Sequence, residues 1–217
     1  MIQNLFSQTK LILISALFFS SLLVLKKPVP SVDSLLAAPS SGIKYFAVGF
    51  KFNIASALWM RVLENSDYCE QKINKTDCIG KSWLFQNLDL ATELDPVFEI
   101  GMYRMGALAL TIIISDYPGA SIIFDKGVSQ HPADWALLYA AAYHALFEEK
   151  NKNKAAGLYF KAAQKGAPDW VHVMAGRLAA EGGDTEYAEK ILQTMIDTNQ
   201  DVKFVKRLRE KISKLKK

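Results

Sequence analysis

The sequence predicts an all-α fold, a solenoid of about three and a half helical hairpins followed by a C-terminal capping helix. The first observation is that Pro96, Pro132 and Pro168 lie 36 residues apart, and each ends a stretch built on the same plan. The second is that apolar residues recur at helical spacing between turn-forming residues. Stacked repeats produce such a period, because one hairpin cannot bury its apolar face alone.

By composition the chain divides into a hydrophobic segment, a Pro- and Ser-rich linker and a helical repeat domain, at residues 1–27, 28–44 and 45–217. The uncharged run Leu11–Leu25 is fifteen residues long, between the length of a secretory signal and that of a full membrane span. We expect an uncleaved N-terminal anchor, because Lys26 and Lys27 stand where a cleavage site would be needed. A cleaved signal peptide is the alternative.

Within the repeat domain, apolar residues on one face predict a first helix from Tyr45 to about Glu64. A second helix is predicted to end at Asp95–Pro96, since the residue before a proline disfavours helix. Three further hairpins, each with a polar or glycine-containing turn, are predicted at residues 97–130, 133–165 and 169–198. The amphipathic segment Val202–Leu215 is predicted to be the capping helix.

These hairpins resemble the tetratricopeptide repeat (TPR) family. The residues that carry the resemblance are the alanine-x3-aromatic pairs Ala120…Phe124 and Ala156…Phe160, the weaker Ala188…Leu192, the terminal prolines Pro132 and Pro168, and the small residues Gly106 and Ala142. The third unit departs from the pattern, because it is about one helical turn shorter and lacks the terminal proline. The resemblance implies that the first helix of each unit lines an inner binding surface.

Mapped by repeat register, that surface gives a predicted partner-binding groove of Tyr103, Tyr139, Tyr143, Trp170 and Arg177. Tyr103 and Tyr139 are 36 residues apart and are predicted to be equivalent. Tyr, Trp and Arg dominate interface energetics, because each combines a large contact area with a directional polar group. The alternative is that these aromatic residues simply belong to the core.

Two cysteines, Cys69 and Cys78, enclose an eight-residue polar segment and are predicted to form a disulfide. Such a bond persists in an oxidising compartment. We therefore expect a single-pass anchor in the inner (cytoplasmic) membrane, with the repeat domain in the periplasm. Two unrelated thiols are the alternative. A metal site is not expected, because two thiols without a nearby histidine fill only half of a tetrahedral shell.

The sequence gives little support to an enzyme. His131, His144 and His172 have no nucleophile or ligand partner at a mechanistic spacing, and no phosphate loop, nucleophile elbow or zinc-protease pattern occurs. We expect no cofactor, metal or small-molecule substrate. The net charge of +4 is concentrated in Lys203–Lys217, and the rest of the chain is slightly acidic, so nucleic acid is not an expected partner of the body. The basic tail is predicted to be a solvated cap, with contact to an acidic partner or anionic lipid as an alternative and nucleic acid as the least favoured one.

The function expected from these observations is that of a non-catalytic, membrane-anchored TPR-like adaptor or assembly factor. It would bind a segment of a partner protein in the cell envelope. The alternative is an obligate structural subunit of a larger envelope machine, such as a pilus, motor or secretion apparatus. The apolar runs Thr111–Ser115 and Ile122–Phe124 favour that alternative, because they exceed what a small soluble solenoid needs.

Overall fold

The computed structural model describes residues 39–65, 79–97 and 99–215. In these ranges the chain is all-helical and contains no strand. The helices are α1 Ile43–Phe46, α2 Lys51–Glu64, α3 Trp83–Leu94, α4 Ile100–Ala109, α5 Tyr117–Gln130, α6 Trp135–Phe147, α7 Lys152–Gln164, α8 Trp170–Glu181, α9 Thr185–Asp197 and α10 Val202–Leu215. A π-helical turn, Leu110–Ile114, extends α4.

Several predicted features lie outside the described residues. They are the anchor at residues 1–27, most of the linker, and the cysteines Cys69 and Cys78. The described residues belong to one compact unit, Ala38–Lys217. Among them, no helix combines the length and the apolar character needed to cross a bilayer.

The helices pack in chain order. α2 packs on α3, α4 on α5, α6 on α7 and α8 on α9, while α5 on α6, α7 on α8 and α9 on α10 join one pair to the next. α4 also contacts α6, and α8 contacts α10. The prediction of an all-α, solenoid-like stack is therefore confirmed.

The turn between the two helices of a pair recurs in three units. Each turn combines a residue in the left-handed region with an N-cap side chain directly after it, at Ser115–Asp116, Lys150–Asn151 and Gly183–Asp184. The left-handed residue ends the first helix, and the cap accepts a hydrogen bond from the backbone N–H three residues further on. Local turn chemistry thus sets where each second helix begins.

The N-caps define a register that differs from the proline spacing. The caps of the second helices, Ser82, Asp116, Asn151 and Asp184, are 34, 35 and 33 residues apart. The first helices follow Glu99, Asp134 and Asp169, each 35 residues after the last. The prolines keep a period of 36 only because each lies one residue closer to the following helix than the proline before it.

Two glycine–leucine contacts bring neighbouring helices close together. A Cβ atom on Gly106 of α4 would lie 2.6 Å from Leu88 Cδ2 of α3, and one on Gly176 of α8 would lie 2.6 Å from Leu208 Cδ2 of α10. Both leucines are fully buried. A methyl group at either glycine would collide with the leucine and force its side chain to shift, so glycine allows the helices to pack at the observed spacing with both leucines in place.

A buried carboxylate links the starts of α3 and α5. Asp116 is fully buried, and its Oδ1 accepts hydrogen bonds from the backbone N–H groups of Gly80 (2.6 Å) and Gly119 (3.0 Å). Its Oδ2 accepts a hydrogen bond from Ser82 Oγ at 3.1 Å. Since Ser82 itself caps α3, one side chain coordinates the N-termini of two successive second helices.

Candidate functional site

A groove of about 370 Å³ lies between α8 and α10. It is lined by Trp170, Val173, Met174 and Arg177 from α8 and by Phe204, Arg207, Glu210, Lys211 and Lys214 from α10. Leu208 and Ile212, on the buried face of α10, hold that helix in place, and Leu208 packs on Gly176. The groove therefore combines apolar side chains with four cations and one acid.

The cations of the groove outnumber the carboxylates near them. One carboxylate, Glu181, lies 3.7 Å from each of three cationic groups, those of Lys152, Arg177 and Lys211. Within the described part of the chain, Arg207 and Lys214 make no ion pair. Such exposed pairs contribute little stability, so this positive charge is more relevant to recognition than to folding.

An aromatic cluster adjoins the groove. Its members are Tyr139, Tyr143, Phe147, Tyr159 and Trp170. The Tyr139 ring meets Trp170 edge to face, with centroids 5.9 Å apart, and meets Tyr159 in the same way at 5.1 Å. Tyr143 lies against Phe147 at 4.4 Å. Trp170, Tyr143 and Phe147 remain over 40% exposed, so the cluster offers apolar area to a partner.

Tyr159 lies at the base of this cluster and is fully buried. Burial, followed by the nearby hydroxyls of Tyr139 and Tyr143, raises the pKa of Tyr159 well above its usual value, against a smaller lowering by Arg177. The hydroxyl therefore stays protonated at any physiological pH. Among the described residues it has no hydrogen-bond partner, although buried polar groups nearly always have one.

Four of the five predicted groove residues come together. Trp170 and Arg177 line the groove, Tyr139 contacts Trp170, and Tyr143 adds its electrostatic influence to that of Tyr139 and Arg177 at the Tyr159 hydroxyl. All four are at least partly accessible. These four side chains of α6 and α8 thus lie on neighbouring surface.

Tyr103 lies in the core instead of the groove. It is 1% exposed, its ring meets His131 edge to face, and its hydroxyl donates a hydrogen bond to the Pro96 carbonyl at 2.7 Å. Burial, together with the nearby Asp95, raises the pKa of Tyr103 to about 12. A partner could reach this ring only after the hairpin opened.

The structural period explains the misplacement of Tyr103. With first helices 35 residues apart, the equivalent of Tyr103 is Leu138, which is also fully buried, and not Tyr139. A shift of one residue along a helix rotates a side chain by about 100°. Counting by the proline period of 36 therefore placed Tyr103, a core residue, in the predicted groove.

Sequence reasoning missed Phe147, Tyr159 and the contribution of α10. Tyr139, Tyr143 and Phe147 follow one another at four-residue intervals along α6, a stripe that could have been recognised. Counting from the Asn151 cap, Tyr159 corresponds to Phe124 and Ala155 to Ala120, so the repeat signature in this unit is Ala155…Tyr159, one residue before the predicted pair. The approach of α10 to α8 depends on a long-range contact that no local pattern shows.

The histidines take structural places in the described part of the chain. His144 is buried, with Nδ1 3.1 Å from Thr111 Oγ1 and Nε2 3.0 Å from Ser121 Oγ. Both hydroxyls also donate to backbone carbonyls one turn earlier in their own helical segments, Thr111 to Ala107 and Ser121 to Tyr117, so either can accept a hydrogen bond from the imidazole. Across the described ranges, no group of three or more His, Cys, Asp or Glu side chains could hold a metal ion.

Compared with protein-family models, with curated proteins and with solved structures, the chain matches none of them. The class of protein is therefore defined by its fold and surface alone. It is a stack of helical hairpins whose last layers form a groove with an apolar floor and a basic rim.

Proposed function

We propose that this protein is a non-catalytic, membrane-anchored adaptor or assembly factor that binds a segment of a partner protein. The observation that carries the proposal is the groove between α8 and α10, where Trp170 and Phe204 lie beside Arg177 and Arg207. Interfaces draw most of their binding energy from a few aromatic and arginine anchors in such pockets. Binding of this kind needs no cofactor, metal ion or small-molecule substrate.

The stack belongs, on this proposal, to the TPR-like proteins. Cap spacings of 34, 35 and 33 residues support the resemblance, because the family repeat is usually 34 residues long. The resemblance implies that first helices line the binding surface. Trp170 and Arg177 on α8, and Tyr139 on α6, are on such helices.

The chemistry of the groove selects a partner segment with a bulky apolar side chain flanked by carboxylates. The apolar side chain of the partner would pack on the floor of the groove, which is formed by Trp170, Val173, Met174 and Phe204. The carboxylates of the partner would pair with the basic rim. A nucleic acid is disfavoured because the excess of positive over negative charge is concentrated in Lys203–Lys217 and the rest of the chain is slightly acidic.

The N-terminal segment supplies the location. Leu11–Leu25 would hold the protein in the inner membrane, with the repeat domain in the periplasm, where Cys69 and Cys78 would pair as a disulfide. Membrane attachment raises the effective concentration of the groove toward envelope partners, so a modest intrinsic affinity suffices.

A matched pair of tryptophans tests the groove. Trp170 and Trp135 are similarly exposed, at 43% and 40%, and each follows an aspartate, but only Trp170 lines the groove. A photo-crosslinking residue at Met174 in living cells should capture a partner, and Trp170→Ala should reduce the yield about tenfold, roughly 1.4 kcal/mol of binding free energy. Trp135→Ala should leave the yield within about twofold. Equal losses from both changes would exclude the groove as the binding site.

An obligate structural subunit is the second candidate function. Met105, Ile112, Ile113 and Ile122 are all exposed on α4, the π-helical turn and α5, where a neighbouring subunit could cover them. The full chain in nanodiscs distinguishes the two functions. A sedimentation mass of one chain supports the adaptor, whereas self-association that Ile112→Ser together with Ile122→Ser abolishes supports the subunit.

A further inference from the structure

A second apolar surface lies at the opposite end of the chain from the groove. Five large side chains within eight residues, Tyr45, Phe46, Val48, Phe50 and Phe52, are each 63–82% exposed. We call these five residues the N-terminal aromatic surface. Four of them are aromatic. The five residues occupy α1, the turn between α1 and α2, and the second residue of α2.

The same character continues along α2. The inner face of α2 buries Ala55, Leu58 and Val62, yet Met60 and Leu63 are exposed on the outer side. Phe52, Met60 and Leu63 fall within about 80° of arc, and the first and last are about 16 Å apart along the axis. α2 is therefore apolar on two faces, only one of which the described residues cover.

The basic residues around this surface favour contact with anionic lipid. Between Pro39 and Leu63 the chain carries Lys44, Lys51 and Arg61 and no acidic residue. Lys44 pairs with Glu93 at 3.0 Å, and Lys51 is exposed at the start of α2. Exposed aromatic rings next to basic residues are the composition that settles at the level of lipid headgroups.

The position in the chain places this surface within reach of a bilayer. Seventeen residues, 28–44, separate the proposed anchor from Tyr45. Even when fully extended, seventeen residues span at most about 60 Å, so α1 begins within that distance of the proposed anchor. Apolar area that starts this close to the membrane meets lipid before it meets any diffusing partner.

We propose that the N-terminal aromatic surface and the outer face of α2 rest on the membrane. The rings enter the boundary between headgroups and acyl chains, and α2 lies along the bilayer with Phe52, Met60 and Leu63 toward it. The proposal rests on the membrane anchoring proposed above. It makes the first hairpin a second, reversible attachment point, since two weak attachments bind far more tightly than one.

Site-directed spin labelling of the full chain tests this contact. In a background with Cys69→Ser and Cys78→Ser, a nitroxide is attached at Phe50→Cys or, as the matched control, at Ser129→Cys, an exposed residue near the end of α5. The chain is reconstituted in vesicles of 70% phosphatidylcholine and 30% phosphatidylglycerol. Collision rates with oxygen, which concentrates in lipid, and with a nickel chelate, which stays in water, are then measured.

Lipid contact should raise the ratio of oxygen to nickel collisions at residue 50 at least fivefold over that at residue 129. Equal ratios in a chain that floats with the vesicles would overturn the contact and leave the anchor intact. A label at residue 50 shielded from both reagents would mean that protein, such as a second copy, covers the surface, and would also overturn the proposal. A chain that does not float with the vesicles would overturn both the anchor and the contact, without affecting the groove.

A flotation assay adds a measurement that needs no label. The compact unit Ala38–Lys217 lacks the proposed anchor, so vesicles retain it only through its own surface. Phe46→Ser, Phe50→Ser and Phe52→Ser combined should reduce the floated fraction at least fivefold, while Trp170→Ala should not change it. Circular dichroism and the melting temperature of each variant show that it is folded, and no difference between folded variants would contradict the contact.

Discussion

The two ends of the stack are built by the same packing device but face solvent with opposite chemistry. Leu88 closes on Gly106 near the N-terminal end, and Leu208 closes on Gly176 near the C-terminal end, with the same close approach. Outside these contacts, α1 and α2 expose aromatic rings, whereas α10 exposes arginines and lysines. The glycine–leucine contact fixes how helices stack, and the outward residues are left free to determine what each end binds.

The comparison also separates two ways of joining layers. Near the N-terminal end, the buried Asp116 links α3 and α5 through three hydrogen bonds. Toward the C-terminal end, Asp184 caps α9 through one hydrogen bond to Tyr187 N–H and is exposed. The difference is that Asp116 also bonds to the start of the preceding layer, whereas Asp184 caps only its own helix.

The largest expected effect comes from breaking the shared packing device at each end. Leu88→Ala should lower the free energy of unfolding by about 4 kcal/mol, because it leaves a cavity between helices that must stay together. The melting temperature should fall by about 10 °C. Leu208→Ala should cost about 2 kcal/mol, because the terminal helix α10 detaches before the rest of the stack unfolds. Chemical denaturation with hydrogen exchange measures both changes.

Hydrogen exchange shows whether Leu208→Ala destabilises α10 alone or the whole stack. After Leu208→Ala, amides of α10 should exchange much faster while those of α6 and α7 keep their protection, and partner capture in the groove should disappear. A uniform rise of exchange across the stack would show that α10 is not a separable terminal layer, and would contradict the difference between the ends.

The next largest effect concerns the two caps. Asp116→Ala should cost about 3 kcal/mol, because it removes a cap and leaves the buried N–H groups of Gly80 and Gly119 and the Ser82 hydroxyl without an acceptor. Asp184→Ala should cost about 1 kcal/mol, the usual value for an exposed cap. Urea unfolding of both variants measures the two losses of unfolding free energy, and the loss for Asp116→Ala should be about three times that for Asp184→Ala. Similar costs would mean that Asp116 acts as a cap alone.

Local chemistry made the fold predictable. The hairpins were assigned from apolar spacing and turn residues, and the same turn residues, Asp116, Asn151 and Asp184, are the caps that begin each second helix. The register was harder, because prolines lie in loops whose length can change by one residue without disturbing the helices. A register based on N-caps would have paired Tyr103 with Leu138 and left it in the core.

The sequence predicted the residues that α6 and α8 contribute to the site, but not those that α10 contributes. Tyr139, Tyr143, Trp170 and Arg177 lie on first helices, which the repeat pattern predicts, whereas the α10 wall depends on Leu208 reaching Gly176. That contact joins residues more than thirty positions apart, and the pattern of α10 alone shows only that one face is apolar. Sequence reasoning therefore predicted α10 as a cap and did not expect it to form half of a groove.

The smallest expected effect is a loss of stability in mild acid, which arises from two buried histidines, one on α6 and one on α8. Burial lowers the pKa of both His144 on α6 and His172 on α8 below the usual 6.5. As the pH falls below 6.5, the unfolded chain takes up protons that the folded chain resists, so stability present above that pH is lost as the pH passes through the lowered values. Each histidine contributes at most about 1.4 kcal/mol per pH unit.

His144→Gln tests this dependence most cleanly, because a glutamine amide keeps one donor and one acceptor for Thr111 and Ser121 but does not titrate. The variant should be less stable than the parent at pH 7.5 by about 1 kcal/mol, and the difference should shrink as the pH falls to 5. Urea unfolding at three pH values gives the slope, and His131→Gln serves as the control, because His131 lies at a turn. A pH slope that His144→Gln leaves unchanged would mean that His144 is protonated as readily in the folded state as in the unfolded chain.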